Sequence, residues 1–318
     1  ILLLFIILKR ASCLFFFIYI FLSLALCKLS VKNINITGTS SITIGTGTEE
    51  IKAVKAGVVG YAYNNVDIDT WNVGTSNITV DGSLTTTADY FGGVIGHAQS
   101  NSSAASTDTQ TQINNVTLGS STITVTGNVV KESHIGHLFG RIEGYIDSKS
   151  TTAIPKRTIV SNLTTTGTTK IVFGSEGTPV DVANVRAGAI GSAAVNSDIS
   201  ACTLADTEVE VNGNLITGAS YIGGIVGLVQ SSTTPNTGIA QGAVATKVHD
   251  ITVKKSDVNV TGNVGAQCYV GGAFGQVTGA TSTTVAPQAT GITDINIKNT
   301  SKNPKYLSYL DRFFALDI

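Results

Sequence analysis

The sequence predicts an all-β protein, a right-handed parallel β-solenoid (β-helix) of six to seven coils that is preceded by an apolar signal segment. Three observations predict this fold class. The 318 residues include 34 Gly and only 13% charged residues, a composition that favours strands and tight turns over helices. A short glycine pattern recurs six times along the chain. Apolar and polar residues alternate upstream of each copy, as they do in strands with one buried face.

The first 27 residues are predicted to be a signal peptide or a signal anchor. An apolar run of 13 residues follows the basic pair Lys9 and Arg10, which is the pattern of a secretory signal peptide. Cleavage after Cys27 would release the rest of the chain. Residues 1–8 are apolar as well, so an uncleaved anchor is the alternative. Both versions predict an extracellular or cell-surface location.

Residues 28–300 are predicted to form the repeat domain, and residues 301–318 a short tail. When the six copies are aligned on their final glycine, Ala56 and Ala187 replace the first glycine of two copies. His137 replaces the second glycine of another copy. We expect the repeat glycines to mark coil corners that require positive φ, or places where two backbones approach too closely for a Cβ. The glycines are Gly57, Gly60, Gly92, Gly93, Gly96, Gly136, Gly140, Gly188, Gly191, Gly223, Gly224, Gly227, Gly271, Gly272 and Gly275.

Two apolar pairs at i, i+2 spacing precede every copy, and in the second copy they are Val66 with Ile68 and Ile78 with Val80. The second pair lies 15 to 18 residues before the final glycine in all six copies, which indicates one repeated supersecondary unit. Each unit is predicted to hold three short strands, the third carrying the glycines, and a seventh unit begins at Ile295. The variable Ser- and Thr-rich segments between units are predicted loops, as in solenoids, and a six-bladed propeller is the structural rival.

Three copies place the glycines in a Tyr-x-Gly-Gly-apolar-apolar-Gly context, at residues 90–96, 221–227 and 269–275. This pattern resembles the GLUG motif of large secreted and surface-attached proteins, and the resemblance covers roughly residues 31–297. In that family the motif repeats along adhesin-like stalks. The resemblance therefore implies a surface or extracellular structural module rather than a catalyst.

No catalytic, cofactor-binding or metal-ligating residue is predicted, and no cofactor is expected. His134 and His137 come nearest to a metal-ligand motif, but their side chains should point in different directions and lack a nearby carboxylate. His97 and His137 are expected to be surface residues at coil corners.

Two acidic pairs, Asp67 with Asp69 and Glu208 with Glu210, flank inward-facing apolar residues and should lie on a solvated strand face. An enzyme that cleaves polysaccharides would need carboxylates that converge in a groove. A carbohydrate-active β-helix enzyme, either a polysaccharide lyase or a hydrolase, is therefore the alternative to a binding protein.

Loss of the first 27 residues would leave two cysteines, Cys202 and Cys268. They could form a bridge, or they could be two small buried residues. The net charge of −1 gives no reason to expect nucleic acid as a partner. A membrane is expected as a partner only through residues 1–27, if these are not cleaved.

The predicted function follows from this form. A long rigid body with variable loops suits adhesion to another surface, or its recognition through glycans or host and cell-surface proteins, by many weak contacts. A structural coat or spacer without a ligand is a further alternative. Possible N-glycosylation sites are Asn35, Asn77, Asn101, Asn115, Asn162, Asn259 and Asn299. In a eukaryotic source, Asn101 in its Ser-rich loop would be the best acceptor.

Overall fold

The computed structural model describes residues 29–47, 49–85, 88–100, 110–145, 156–231, 245–279 and 290–297. This part of the chain is all-β, with parallel sheets and no helix. Accordingly, none of these stretches contains a helix that could cross a bilayer. The predicted signal segment and tail, and the sequons Asn101 and Asn299, lie outside the described residues.

The strands fall into repeats that each begin with a long strand. In chain order they are β1 (Leu29–Ile44), β2 (Glu50–Ile51), β3 (Lys55–Ala56), β4 (Val59–Tyr63), β5 (Val66–Val80), β6 (Ser83–Leu84), β7 (Asp89–Gly92), β8 (Ile95–Gln99), β9 (Gln112–Val125), β10 (Ser133–Glu143), β11 (Thr158–Thr165), β12 (Thr169–Phe173), β13 (Val180–Val182), β14 (Val185–Ala194), β15 (Ser197–Val211), β16 (Gly213–Leu215), β17 (Ser220–Gly223), β18 (Val226–Gln230), β19 (Lys247–Val260), β20 (Cys268–Gly271), β21 (Phe274–Thr278) and β22 (Gly291–Ile297).

One sheet, the long sheet, has the order β1-β5-β9-β11-β15-β19-β22, and β12 pairs with β9 and β15. Its strands contain both apolar pairs of each repeat. The pairs were predicted to form two short strands, but β1, β5, β9, β15 and β19 are single strands of 14 to 16 residues. Only the fourth repeat divides them, into β11 and β12.

A second sheet, the glycine sheet, holds the glycine pattern and has the order β20-β17-β14-β10-β7-β3, with β4, β8, β18 and β21 continuing it. Short strands join the two sheets, as in the pairs β2-β6 and β13-β16. All these pairings are parallel, and neighbouring strands come from successive repeats. The arrangement is compatible with a parallel β-solenoid.

Seven residues with left-handed backbone bend the long strand at the same place in every repeat. They lie in register, have φ between 53° and 59°, and are Asn33, Thr70, Asn115, Asn162, Ala201, Asp250 and Asp294. Asn and Asp tolerate this conformation best, because their short polar side chains bond locally. In a regular strand, residues three apart face opposite sides. The bend shifts the alternation by one residue, so Ile68 and Trp71 are both buried.

A column of hydroxyl side chains divides the interior into two apolar clusters. Its members pair in register on the long sheet and are almost fully buried, and they are Ser76, Ser121, Thr169, Thr207 and Ser256. A Cβ on Gly93 or Gly224 would collide with Ser121 or Ser256 respectively. The glycine sheet therefore packs directly against the long sheet along this column.

The repeat glycines lie where backbones meet, and none of them has left-handed φ. Of the two reasons predicted for these glycines, close backbone approach is therefore confirmed and positive φ is not. A Cβ on Gly96 would lie 2.7 Å from Gly60 O and 2.8 Å from both the N and O atoms of Ala56. Comparable clashes surround the other repeat glycines except Gly272, where no atom of the described residues lies within 4 Å of the added Cβ.

The pairing also corrects the alignment of the six copies. Ala56 pairs with Phe91, and Ala187 pairs with Ile135, so these alanines precede the first glycine instead of replacing it. The first and the final glycine thus occur in every copy. The second position is occupied in four copies only, by Gly93, His137, Gly224 and Gly272, and the other two copies are one residue shorter.

Candidate functional site: the outer ladder of the glycine sheet

The outer face of the glycine sheet carries two columns of side chains, most of them aromatic or charged, here called the outer ladder. The residues that follow them on each strand, such as Phe91 after Tyr90 and Ala98 after His97, are buried in the core, so strand alternation turns the ladder residues outward. The first column is Lys55, Tyr90, His134, Arg186, Tyr221 and Tyr269. The second column is Tyr61, His97, Arg141, Ser192, Leu228 and Gln276.

The aromatic rings of the first three repeats form a continuous stack. Ring centroids are separated by 5.0 Å between Tyr63 and Tyr61 and between Tyr61 and His97. They are 4.5 Å apart between His97 and Tyr90, and 5.1 Å apart between Tyr90 and His134. Adjacent strands lie about 4.7–4.9 Å apart, so parallel register brings Tyr61 to stacking distance from His97 and Tyr90 to stacking distance from His134. Tyr221 and Tyr269 form a second stack in the fifth and sixth repeats, at 5.6 Å.

A cation lies over an aromatic ring in each stack. Lys55 Nζ is 4.3 Å from the Tyr61 ring centroid and 5.5 Å from that of Tyr90. Arg186 Cζ is 5.1 Å from the centroid of Tyr221. These distances are within the range of cation–π attraction.

The middle of the ladder is a network of two buried imidazoles, His97 and His134, and two carboxylates, of which Glu132 is exposed. His134 Nε2 is 2.9 Å from Glu132 Oε1, and its Nδ1 is 2.7 Å from Ser192 Oγ. Burial lowers the pKa of His134 to about 4, and the hydrogen bond from His134 lowers the pKa of Glu132 to about 2. At neutral pH the imidazole is therefore neutral, with Nε2–H donating to the carboxylate and Nδ1 accepting from the Ser192 hydroxyl.

His97 and Glu143 continue this network. His97 Nε2 lies 3.4 Å from Glu143 Oε2, and Arg141 Nη2 lies 3.0 Å from Glu143 Oε1. Burial lowers the pKa of His97, so the Arg141 guanidinium is the cation that balances the Glu143 carboxylate at neutral pH.

Two predictions about the histidines were wrong. His97 and His137 are 4% and 0% exposed, not surface residues, and His134 does have a nearby carboxylate. His137 occupies a second-glycine position and points inward, where its Nε2–H donates to Glu208 O at 2.9 Å. Burial lowers its pKa to about 4.

The ladder is accessible mainly at its two ends. Tyr61 and Tyr63 are 39% and 40% exposed, and Tyr269 is 46% exposed. At the first end the Tyr61 hydroxyl donates to Gln99 Oε1 at 2.6 Å. Burial raises the pKa of Tyr61 to about 12, so this phenol remains a neutral donor. Lys55, Tyr61 and Tyr63 are here called the first-repeat patch.

The two acidic pairs lie on the outer face of the long sheet and are matched by lysines of neighbouring strands. Lys32 Nζ is 3.2 Å from Asp67 and 3.8 Å from Asp69. Lys170 Nζ is 4.0 Å from Glu208 and 2.6 Å from Glu210. Within the described ranges no group of three or more His, Cys, Asp or Glu side chains could hold a metal ion.

Both cysteines are free thiols in the structure, so the predicted possibility of a bridge is not realised. Cys202 is buried in the long sheet, where burial raises its pKa to about 12, and Cys268 lies on the glycine sheet. Of the described sequons, Asn115 and Asn162 belong to the left-handed column. Their amides take part in its hydrogen bonds, Asn115 Nδ2 donating to Asp69 and Asn162 Nδ2 to Asn115. The described sequons Asn35, Asn77 and Asn259 lie on other positions of the long sheet.

Sequence reasoning missed the outer ladder, although both columns stand at constant offsets from the repeat glycines. The first column lies two residues before the first glycine, and the second lies one residue after the final glycine. Tyr90, Tyr221 and Tyr269 were visible as aromatics before the motif. Lys55 and Arg186 were not, because Ala56 and Ala187 were aligned one position too far along the repeat.

No protein-family model matches this chain, and no similar curated protein or solved structure is found. Its function is therefore argued from the chemistry of the outer ladder.

Proposed function

We propose that this chain is a non-enzymatic repeat protein of the cell surface or extracellular space that recognises glycans through its outer ladder. The observation that carries the proposal is the stack of exposed tyrosines, Tyr61 and Tyr63, beside the ammonium group of Lys55. We also propose that the repeat domain is a right-handed parallel β-solenoid of six to seven coils. Its handedness rests on the general rule for crossovers between parallel strands.

The chemistry of the patch supports a sugar ligand. A tyrosine ring offers a flat apolar face and a hydroxyl at its rim, and such amphipathic rings are favoured in binding sites. A pyranose ring has the complementary form, with C–H groups on its faces and hydroxyls around its edge. Each such contact is weak, so strong attachment to a surface requires several contacts at once.

The likeness to the GLUG motif supports a location at the cell surface or outside the cell, as does the predicted signal segment. Both rest on sequence alone. A protein at this location that binds glycans through its outer ladder would act in adhesion.

The rival functions have less support. A carbohydrate-active enzyme needs carboxylates free to act on a glycosidic bond, whereas Lys32 and Lys170 contact the two acidic pairs of the long sheet. A ligand-free spacer would have no use for the stacked, exposed aromatic rings at the ends of the ladder.

The test is binding of the purified chain to a printed glycan array and to polysaccharide gels, with product analysis for cleavage. Replacement of both Tyr61 and Tyr63 by Ala should weaken binding at least tenfold. Leu29→Ala removes another exposed apolar side chain of the first repeat and should leave binding unchanged. Cleavage of any polysaccharide would favour the enzyme, and an absence of binding to every glycan would favour the spacer.

A further inference from the structure

The first-repeat patch carries a cation without a carboxylate partner in the described part of the chain. Lys55 is exposed, and the groups within reach of its Nζ are the rings of Tyr61 and Tyr90. Its neighbours in the same repeat differ. Lys32 Nζ lies 3.2 Å from Asp67, and Lys52 Nζ lies 2.9 Å from Glu50.

The carboxylate whose charge acts on Tyr61 from the adjoining repeats is already balanced. Glu143, the carboxylate of the adjoining ladder network, is engaged by Arg141 at 3.0 Å and by His97 at 3.4 Å. A positive charge therefore stands beside 39–40% exposed aromatic rings. That combination favours a ligand with an apolar ring face and an anionic substituent.

We propose that the first-repeat patch binds acidic sugars, with a sugar ring packed on Tyr61 and Tyr63 and its carboxylate or sulfate on Lys55. This inference rests on the proposed glycan-binding function and adds the class of sugar. The ion pair is exposed, so it contributes a preference of roughly fivefold rather than the bulk of the affinity. The preference is screened by salt.

The second aromatic stack, Tyr221 with Tyr269, provides an internal comparison. There Arg186 stacks on Tyr221, but its guanidinium also faces the Glu132 carboxylate at 3.9 Å. Because this carboxylate offsets the cation, Tyr221 and Tyr269 should contact sugars without preferring acidic ones. The charge preference thus belongs to the Lys55 end alone.

The experiment compares polygalacturonate with the same polymer after methyl esterification, which keeps the sugar backbone and removes the charge. The full chain should bind the acidic form roughly fivefold more tightly at low ionic strength, and this preference should disappear at about 0.5 M salt. Lys55→Gln should abolish the preference. Lys52→Gln is the matched control, because it removes an exposed lysine of the same repeat that is already paired, and it should preserve the preference.

Equal binding of the two polymers by the wild-type chain would overturn the inference, as would a Lys55→Gln variant that keeps the preference. If other glycans still bind and the double tyrosine variant weakens them, the proposed function stands while the acidic preference fails. If no glycan binds, both fail. Circular dichroism of each variant confirms that it remains folded.

Discussion

Gly96→Ala tests the conclusion that close backbone approach requires the repeat glycines. The added Cβ would lie 2.7 Å from Gly60 O and 2.8 Å from two backbone atoms of Ala56. Ordinary contacts begin near 3.4 Å, so the first repeat would have to move away by about 0.7 Å (3.4 − 2.7). The neighbouring bond from Val59 N to Val94 O, now 2.9 Å, would then lengthen to about 3.6 Å, which is too long for a hydrogen bond.

The cost can be assembled from these effects. Forced packing of an extra carbon costs about 1–3 kcal/mol, and loss of the backbone hydrogen bond between the two strands costs about 1 kcal/mol. The smaller conformational entropy of an unfolded chain with Ala offsets about 0.4–1 kcal/mol. Gly96→Ala should therefore lower the free energy of unfolding by about 2 kcal/mol.

Urea titration followed by far-ultraviolet circular dichroism measures this change. Gly272→Ala is the control, since Gly272 belongs to the same motif and, within the described part of the chain, no atom lies within 4 Å of a Cβ placed there. That variant has only the entropic gain, so it should be more stable than the wild type by about 0.4–1 kcal/mol. If the two variants were equally stable, close approach would not be the reason for these glycines.

Three further predictions concern two buried titratable side chains and one residue with a strained backbone. Asp89 is fully buried, and burial raises its pKa from 3.8, the value expected in the unfolded chain, to about 6. Its contribution to the free energy of unfolding is therefore complete below pH 3.8 and is lost as the pH rises through 6. Asp89→Ser, which introduces the residue found at Ser133, should therefore raise the free energy of unfolding by about 2 kcal/mol at neutral pH but not at about pH 3, as urea titrations would show. The pKa of His137 is lowered to about 4, so its contribution is complete above 6.5 and is lost as pH falls through 4. His137→Gln keeps a donor for Glu208 O without titrating, so its melting temperature should equal that of the wild type at neutral pH and exceed it near pH 4; equal values at both pH would contradict this account. Ala201 has φ of 53°, which costs about 1–2 kcal/mol for a residue without a local hydrogen-bonding side chain, so Ala201→Asn should stabilise the chain by about 1 kcal/mol and Ala201→Val should destabilise it.

The sequence predicted the inward-facing residues of each repeat more accurately than the strands that carry them. Ile78 and Val80 are buried as their alternation indicated, and the acidic pair Asp67 and Asp69 faces outward. The sequence predicted two short strands in place of each long strand, because a residue at left-handed φ interrupts the alternation of period two, as Thr70 does in the second repeat. Such a residue has no unique sequence signal, as Thr70 and Ala201 show.

By itself, the sequence determined an all-β chain built from repeated strands, because alternation and glycine spacing are local properties that each repeat carries. Only the tertiary structure decided which residues of different repeats meet. Ala56 pairs with Phe91, and Lys55 with Tyr90, 35 residues further along the chain. A shift of one residue moves a side chain to the opposite face of a strand, so the outer ladder exists only in the register that the folded sheets adopt.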